Sequence, residues 1–279
     1  MIRIIQLVEN TSSAAKLKSK HGLCTYIETS NHKILFDVGP TSLFMENARK
    51  LGVDINAIDT VIISHGHSDH GGALSKFMAV NKTAKIYIRE SAFDRHYTKV
   101  AGVPFSASIN NSLRNKQQII FTSNEYVIDD ELALFSNVTG RKLYSKANDK
   151  LFAKKNGKIV LDRFEHEQYL VITDGNKQIM ITGCSHNGII NIIEKYTEIN
   201  DGRIDKLACV LGGFHLFNPI SKKYESDKLI EDIAKYLREL NTKFYTCHCT
   251  GGKAYKILKN GMGEQLDYLS VGTRISYTD

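Results

Sequence analysis

Ser64-His65-Gly66-His67-Ser68-Asp69-His70 sets four possible metal ligands within six consecutive residues. The run before it, Thr60-Val61-Ile62-Ile63, is β-branched and apolar and reads as a buried strand. After it, Leu74, Phe77 and Met78 fall at helical spacing, which predicts a helix from about 71 to 80. The ligands therefore sit on a loop at the C-terminal end of a strand, where an α/β fold carries its chemistry. Imidazole with carboxylate suits zinc or another borderline first-row metal, and suits magnesium or calcium poorly. Four ligands so close together exceed what one tetrahedral site with an open position needs. Two adjacent metals explain them better, with His65 and His67 on one and Asp69 and His70 on the other. A histidine-rich surface loop is the alternative, and the position directly after a strand argues against it.

Reading backward, Ile2–Val8 alternates as a first strand, Leu23–Glu28 as a second and Lys33–Gly39 as a third, an antiparallel meander. Asp37 ends the third strand. A carboxylate there is expensive to bury without partners, so it is read as hydrogen-bonding the histidine loop, with a strand-end cap as the alternative. Residues 41–51 read as a helix.

Reading forward, a strand follows at 84–88, and then the pattern weakens from about 91 to 165. This stretch is read as an insertion or cap on a single domain spanning 1–279. Its histidines, His96 and His166, have no ligand-like neighbours in sequence and read as solvated. The theme then restarts. A hairpin over 169–182 ends in Gly183-Cys184-Ser185-His186-Asn187-Gly188. A strand at 206–211 ends in Gly212-Gly213-Phe214-His215, and another at 243–246 ends in Cys247-His248-Cys249-Thr250. Helices are expected at about 225–240 and 253–260, and a last strand near 266–277. Four strands thus end in histidine-bearing loops that can converge on one sheet edge. The cysteines beside His186 and His248 read as small buried hydrophobes pointing away from the histidine face.

Composition sets the bounds. The 279 residues suffice for a full core, and the formal charge of +7 fits an anionic small-molecule substrate, although a solvated basic surface explains it better. No apolar run reaches the length of a membrane helix, and no secretory leader is read. Five cysteines without regular spacing argue against a disulfide framework and for a reducing cytoplasm. No basic stripe with interleaved aromatics favours nucleic acid. Oligomeric state is left open.

Asp37 in Leu-Phe-Asp-Val-Gly, the His65–His70 loop, His186 and His248 together resemble the metallo-β-lactamase superfamily. The phrases Gly-Cys-Ser-His-Asn-Gly, Gly-Gly-Phe-His-Leu and His-Cys-Thr-Gly resemble its branch of dihydropteroate-synthase-like and ribofuranosylaminobenzene-phosphate synthase-like proteins. The resemblance implies an α/β fold, an αβ/βα sandwich of two mixed sheets with helices on both outer faces. It also implies two divalent ions, zinc first, with manganese or iron as alternatives. One would be held by His65, His67 and His186, the other by Asp69, His70 and His248. Many relatives carry a bridging aspartate where this chain reads Gly212-Gly213-Phe214-His215, and Asp201 and Asp205 lie too early to replace it. His215 is read as a metal ligand, a proton donor to the leaving group or a phosphate contact, against the alternative of a satisfied core histidine. The expected activity is hydrolysis by a hydroxide generated at the binuclear site, with Asp69 holding or orienting it, and the basic balance points to a small phosphate ester or diester as substrate. The alternatives are a transferase that condenses a pterin with an aminobenzene phosphate, and a non-catalytic binding protein stabilised by metal.

Overall fold

A computed structural model describes residues 1–100 and 102–277. Ala101, inside the expected insertion, and residues 278–279 at the end of the expected domain lie outside the described residues.

Two seven-stranded sheets make up the framework. In spatial order the first runs Arg274–Tyr277, Ile2–Val8, Cys24–Glu28, Lys33–Phe36, Thr60–Ile62, Lys85–Ile88 and Ile119–Phe121. Its first three pairings are antiparallel and its last three parallel. The second runs Glu125–Val127, Leu132–Ser136, Gln168–Asp174, Lys177–Ile181, Leu207–Gly212, Lys243–Thr246 and Leu266–Tyr268. It repeats the same pattern of three antiparallel pairings followed by three parallel ones. The expected last strand is in fact two strands in different sheets, because the turn at Gly272, with φ at 93°, sends the chain back across to pair with Ile2–Val8.

Side-chain alternation decides the layering. Ile2 and Ile4 face the second sheet, while Ile5 and Leu7 face the helices Leu43–Leu51 and Leu74–Val80. In the second sheet Leu170 and Ile172 face inward, and Tyr169 and Val171 pack under the helices Ile189–Ile199, Asp227–Arg238 and Gly252–Met262. The layers are helix, sheet, sheet, helix, the αβ/βα sandwich.

Within 91–165, His96–Val100, Val103–Ser106, Leu151–Lys155 and Lys158–Leu161 form a separate four-stranded antiparallel sheet. The strands between them, Ile119–Phe121, Glu125–Val127 and Leu132–Ser136, belong to the two large sheets. Among the described residues no helix is long and apolar enough to cross a membrane.

Candidate metal centre

The parallel strands Thr60–Ile62, Lys177–Ile181, Leu207–Gly212 and Lys243–Thr246 each run out, at the C-terminal end, into a histidine-bearing loop. The loop after Thr60–Ile62 tightens earlier than its periodicity predicts. Ser68–Gly71 is already a helical turn, so Asp69 and His70 project from that turn while His67 caps it in extended conformation. Asp37, Ser185, His215 and His248 all have positive φ, of 60°, 57°, 47° and 51°. Such backbone costs about 1–3 kcal/mol per residue, and here it sits at the strand ends that surround the site.

Two sets of donors result. Asp69 Oδ2 lies 3.3 Å from His248 Nε2 and 3.7 Å from His70 Nε2, and the two ring nitrogens are 3.2 Å apart. His65 Nε2 lies 3.1 Å from His67 Nδ1, and with His186 their donor atoms fall within 4.8 Å of one another. A tetrahedral ion with bonds of about 2.0–2.2 Å has ligand-to-ligand edges of about 3.4 Å, so both sets have the dimensions of a metal shell. The Nε2 atoms of His186 and His215 are buried without a hydrogen-bond partner. Unpaired buried polar atoms are uncommon, and a cation satisfies them.

Four of the rings are locked in one tautomer. His70 donates through Nδ1 to Asp37 Oδ2, at 2.6 Å. Ser64 Oγ donates to the same oxygen, so it is free to accept from His65 Nδ1, at 2.8 Å. His186 donates through Nδ1 to Asn148 Oδ1, while Asn148 Nδ2 returns a bond to the His186 carbonyl. Asn10 grips His248 in the same reciprocal way. Each ring is thereby left with its Nε2 lone pair exposed to the centre.

Three buried carboxylates support the loops. Asp37 Oδ1 accepts the Ser64 amide. Glu167 accepts the His186 and Asn187 amides and the Tyr169 hydroxyl. Glu9 accepts the His248 and Thr11 amides and the Tyr268 hydroxyl. Asp37 was legible as a strand-end carboxylate. Glu9 directly follows the strand Ile2–Val8 and Glu167 directly precedes Gln168–Asp174, the same strand-end signal as Asp37, and the sequence reading passed over both.

The electrostatics agree with this geometry. Burial pushes His65 and His186 well below the usual histidine range, and facing histidines push them further, so both rings are neutral donors. Burial also works against a charge on His70, but Asp37 and Asp69 outweigh it and raise the ring to about 9. Burial would raise Asp69, yet His70, His21 and His248 hold it well below the carboxylate range. The site prefers a positive charge between Asp37 and Asp69, which a divalent ion supplies.

Three expectations need correcting. His96 and His166 are not solvated: they are 1% and 3% exposed, and both bond to Asp162. Nor does Cys184 point away. Its Sγ is 3.1 Å from His70 Nε2 and groups separately with His65 and His70, with His186 and His215, and with His248 and Cys249. Cys249 lines the cleft with it, whereas Cys247 packs between the sheets. The strands end at Ile181 and Thr246, so the alternation on which the outward expectation relied does not reach Cys184 or Cys249.

His215 faces the same cleft, its ring 4.2 Å from that of His186 and neither ring nitrogen bonded. His21, passed over in the sequence, lies 3.3 Å from Asp69. The missing carboxylate at 212–213 has a steric reason: a Cβ on Gly213 would overlap Cys249 Sγ. The cleft, about 340 Å³, is walled by Ala107, Leu151, Pro219 and Ile220, with hydroxyls from Ser68, Thr98 and Ser106.

Comparison with known proteins places these features. The metallo-β-lactamase superfamily model matches residues 19–138. An uncharacterized protein of Methanocaldococcus jannaschii is 30% identical over 91% of this chain and 92% of its own length. The 7,8-dihydropterin-6-methyl-4-(β-D-ribofuranosyl)-aminobenzene-5'-phosphate synthase of the same organism is 29% identical over 93% of this chain and 90% of its own. A solved structure described as a metal-dependent hydrolase of the β-lactamase superfamily is 30% identical, with full coverage of both chains and a TM-score of 0.82.

Proposed function

Because the chain belongs to the metallo-β-lactamase superfamily and is a metal-dependent hydrolase of that class, we propose that it cleaves a small phosphate ester or diester at a binuclear centre. The observation that carries this reading is the pair of adjacent donor sets, His65/His67/His186 and Asp69/His70/His248, the second of which opens onto one cleft through Asp69 and His248. Ions held there, zinc first and manganese or iron as alternatives, supply Lewis acidity and a water acidified toward neutrality. Asp69, fixed by His21 and His248, accepts a hydrogen bond from the attacking water and orients it. Cys184 Sγ lies within 4.8 Å of His65 and His70, one from each donor set, and would serve as a further ligand in place of the absent carboxylate. The Ser68 hydroxyl at the cleft wall donates to a non-reacting oxygen, and the apolar wall takes the organic part.

The test is a phosphoester screen before and after chelation. Hydrolysis should vanish on chelation and return with zinc or manganese. Hydrolysis that survives complete metal removal overturns the reading.

His215 is proposed to protonate the leaving group, since it faces the cleft with both ring nitrogens unbonded. His215→Gln is expected to lower kcat by about 10²–10⁴, the range of a general acid, with metal content unchanged. Unchanged kcat on substrates with poor leaving groups would remove His215 from this role.

A second reading is a transferase that joins a pterin pyrophosphate to an aminobenzene phosphate, favoured by the relative of that activity that aligns along nearly the whole chain. Pyrophosphate release dependent on the aminobenzene acceptor supports it, and phosphoester hydrolysis without any acceptor supports the first.

A further inference from the structure

Asp162 lies behind the first donor set and reaches it along two arms. Its side chain is 3% exposed. Burial works against its charge, yet His166 and His96 hold it below the carboxylate range, so both oxygens only accept. Oδ1 accepts the Phe164 amide at 2.8 Å. Oδ2 accepts from His96 Nδ1 at 2.9 Å and from His166 Nε2 at 3.1 Å. With its proton on Nε2, His166 has a free lone pair on Nδ1, and that atom accepts the Gly66 amide at 3.0 Å.

Both arms end at ligands. Gly66 joins His65 to His67. Its carbonyl accepts the Ile109 amide, and a Cβ on it would come within 2.6 Å of His96 Nε2, so the turn is held on its amide, its carbonyl and its Cα. On the other arm, the Phe164 ring stacks on the His186 ring, with centroids 4.4 Å apart and planes 4° apart. Phe164 has a φ of 55°, a strained conformation for a bulky residue, and the bond to Asp162 secures it.

The ligands differ in how much help they need. Ser64 orients the His65 ring and Asn148 the His186 ring. Among the described residues, the His67 ring has no hydrogen bond outside the donor set: Nδ1 faces His65 and Nε2 has no partner. Its direction therefore comes from the backbone on either side, which is Gly66 on one and Ser68, bonded to the Ala107 carbonyl, on the other.

On the reading of His65, His67 and His186 as one ion's ligands, we propose that Asp162 is their positioning residue, setting the His65–His67 turn through His166 and the His186 ring through Phe164. One carboxylate thus holds in register two ligand segments that are distant in sequence.

The experiment is cobalt(II) titration of the metal-free full chain against a competing chelator, in two backgrounds. His248→Ala leaves the first donor set to bind an ion, and His186→Ala leaves the second. Asp162→Asn keeps the volume and the Phe164 bond, but its amide nitrogen donates to His166 Nε2 and drives that ring's proton to Nδ1, against the Gly66 amide. In His248→Ala the added Asp162→Asn should weaken cobalt binding about 10–100-fold. In His186→Ala it should leave binding unchanged. His166→Gln keeps a donor in the place of Nε2 and has no acceptor in the place of Nδ1. It should weaken the same site, and it decides the question if Asp162→Asn fails to fold. An unchanged affinity in His248→Ala overturns the proposal. An equal loss in both backgrounds also overturns it, and makes Asp162 a general support of the fold. If His248→Ala by itself binds no cobalt, the donor-set assignment falls and the proposal with it, so the two failures are distinguishable.

Discussion

Asp69→Ala should lose turnover by at least about a thousandfold while keeping its fold. The magnitude follows from the acidity of the attacking water. A pKa near 7 leaves about half of it as hydroxide at neutral pH, whereas ordinary water at 15.7 leaves almost none. Asp69 is the only carboxylate in the two proposed donor sets, and its Oδ2 faces His21, His70 and His248 together. Its loss opens one shell and removes the acceptor that orients the water. The fold should survive because the side chain is a quarter exposed and lies on a short surface turn, outside the apolar clusters. Circular dichroism checks the fold, and kcat/KM on the best phosphoester checks the loss. Activity within tenfold of wild type would displace Asp69 from the mechanism.

Asp37 gives the second large effect, through two variants that fail differently. The carboxylate is fully buried and takes the Ser64 amide, the Ser64 hydroxyl and the His70 ring. Asp37→Ala leaves all three donors unpaired in the interior. A loss of about 3–5 kcal/mol is expected, the cost of breaking a buried charged pair. In a chain of this size that lowers Tm on the order of 10 °C. Asp37→Asn keeps the volume, and Oδ1 must still accept the Ser64 amide. Its amide nitrogen then faces His70 Nδ1 and donates, which moves the ring proton to Nε2, the atom turned toward Asp69 and His248. Asp37→Asn should therefore lose less stability than Asp37→Ala and still lose about 10–100-fold in metal affinity. Competitive chelator titration and thermal melts separate the two effects. Equal metal affinity in Asp37→Asn and wild type would reduce Asp37 to a strand-end cap.

The same residues mark how far the sequence could be read. The ligand loop was legible because its chemistry is local: His65, His67, Asp69 and His70 are brought together by the loop's own covalent spacing. The other three loops were legible one at a time, each as a histidine after a short strand-like apolar run. The partners of the supporting carboxylates were not legible in this way. Glu9 reaches the His248 amide across 239 residues and Glu167 reaches the His186 amide across 19, and neither partner is implied by spacing. Cys184 was misjudged for a related reason. Strand alternation forecasts its direction only while the strand continues, and the strand ends at Ile181, before Cys184.

The sequence alone determined strands that end in histidine-bearing loops and a metal-dependent chemistry, since hydrophobic periodicity and ligand spacing are properties of neighbouring residues, while the sandwich architecture followed from the family resemblance. Tertiary structure alone decided which tautomer each ring adopts, that Cys184 comes close to a histidine of each donor set, and that His96 and His166 leave solvent to meet at Asp162. Those outcomes depend on the desolvation of polar groups whose partners come from distant segments. Burial forces every such group to find a partner, but the linear chain does not say which one the fold will bring.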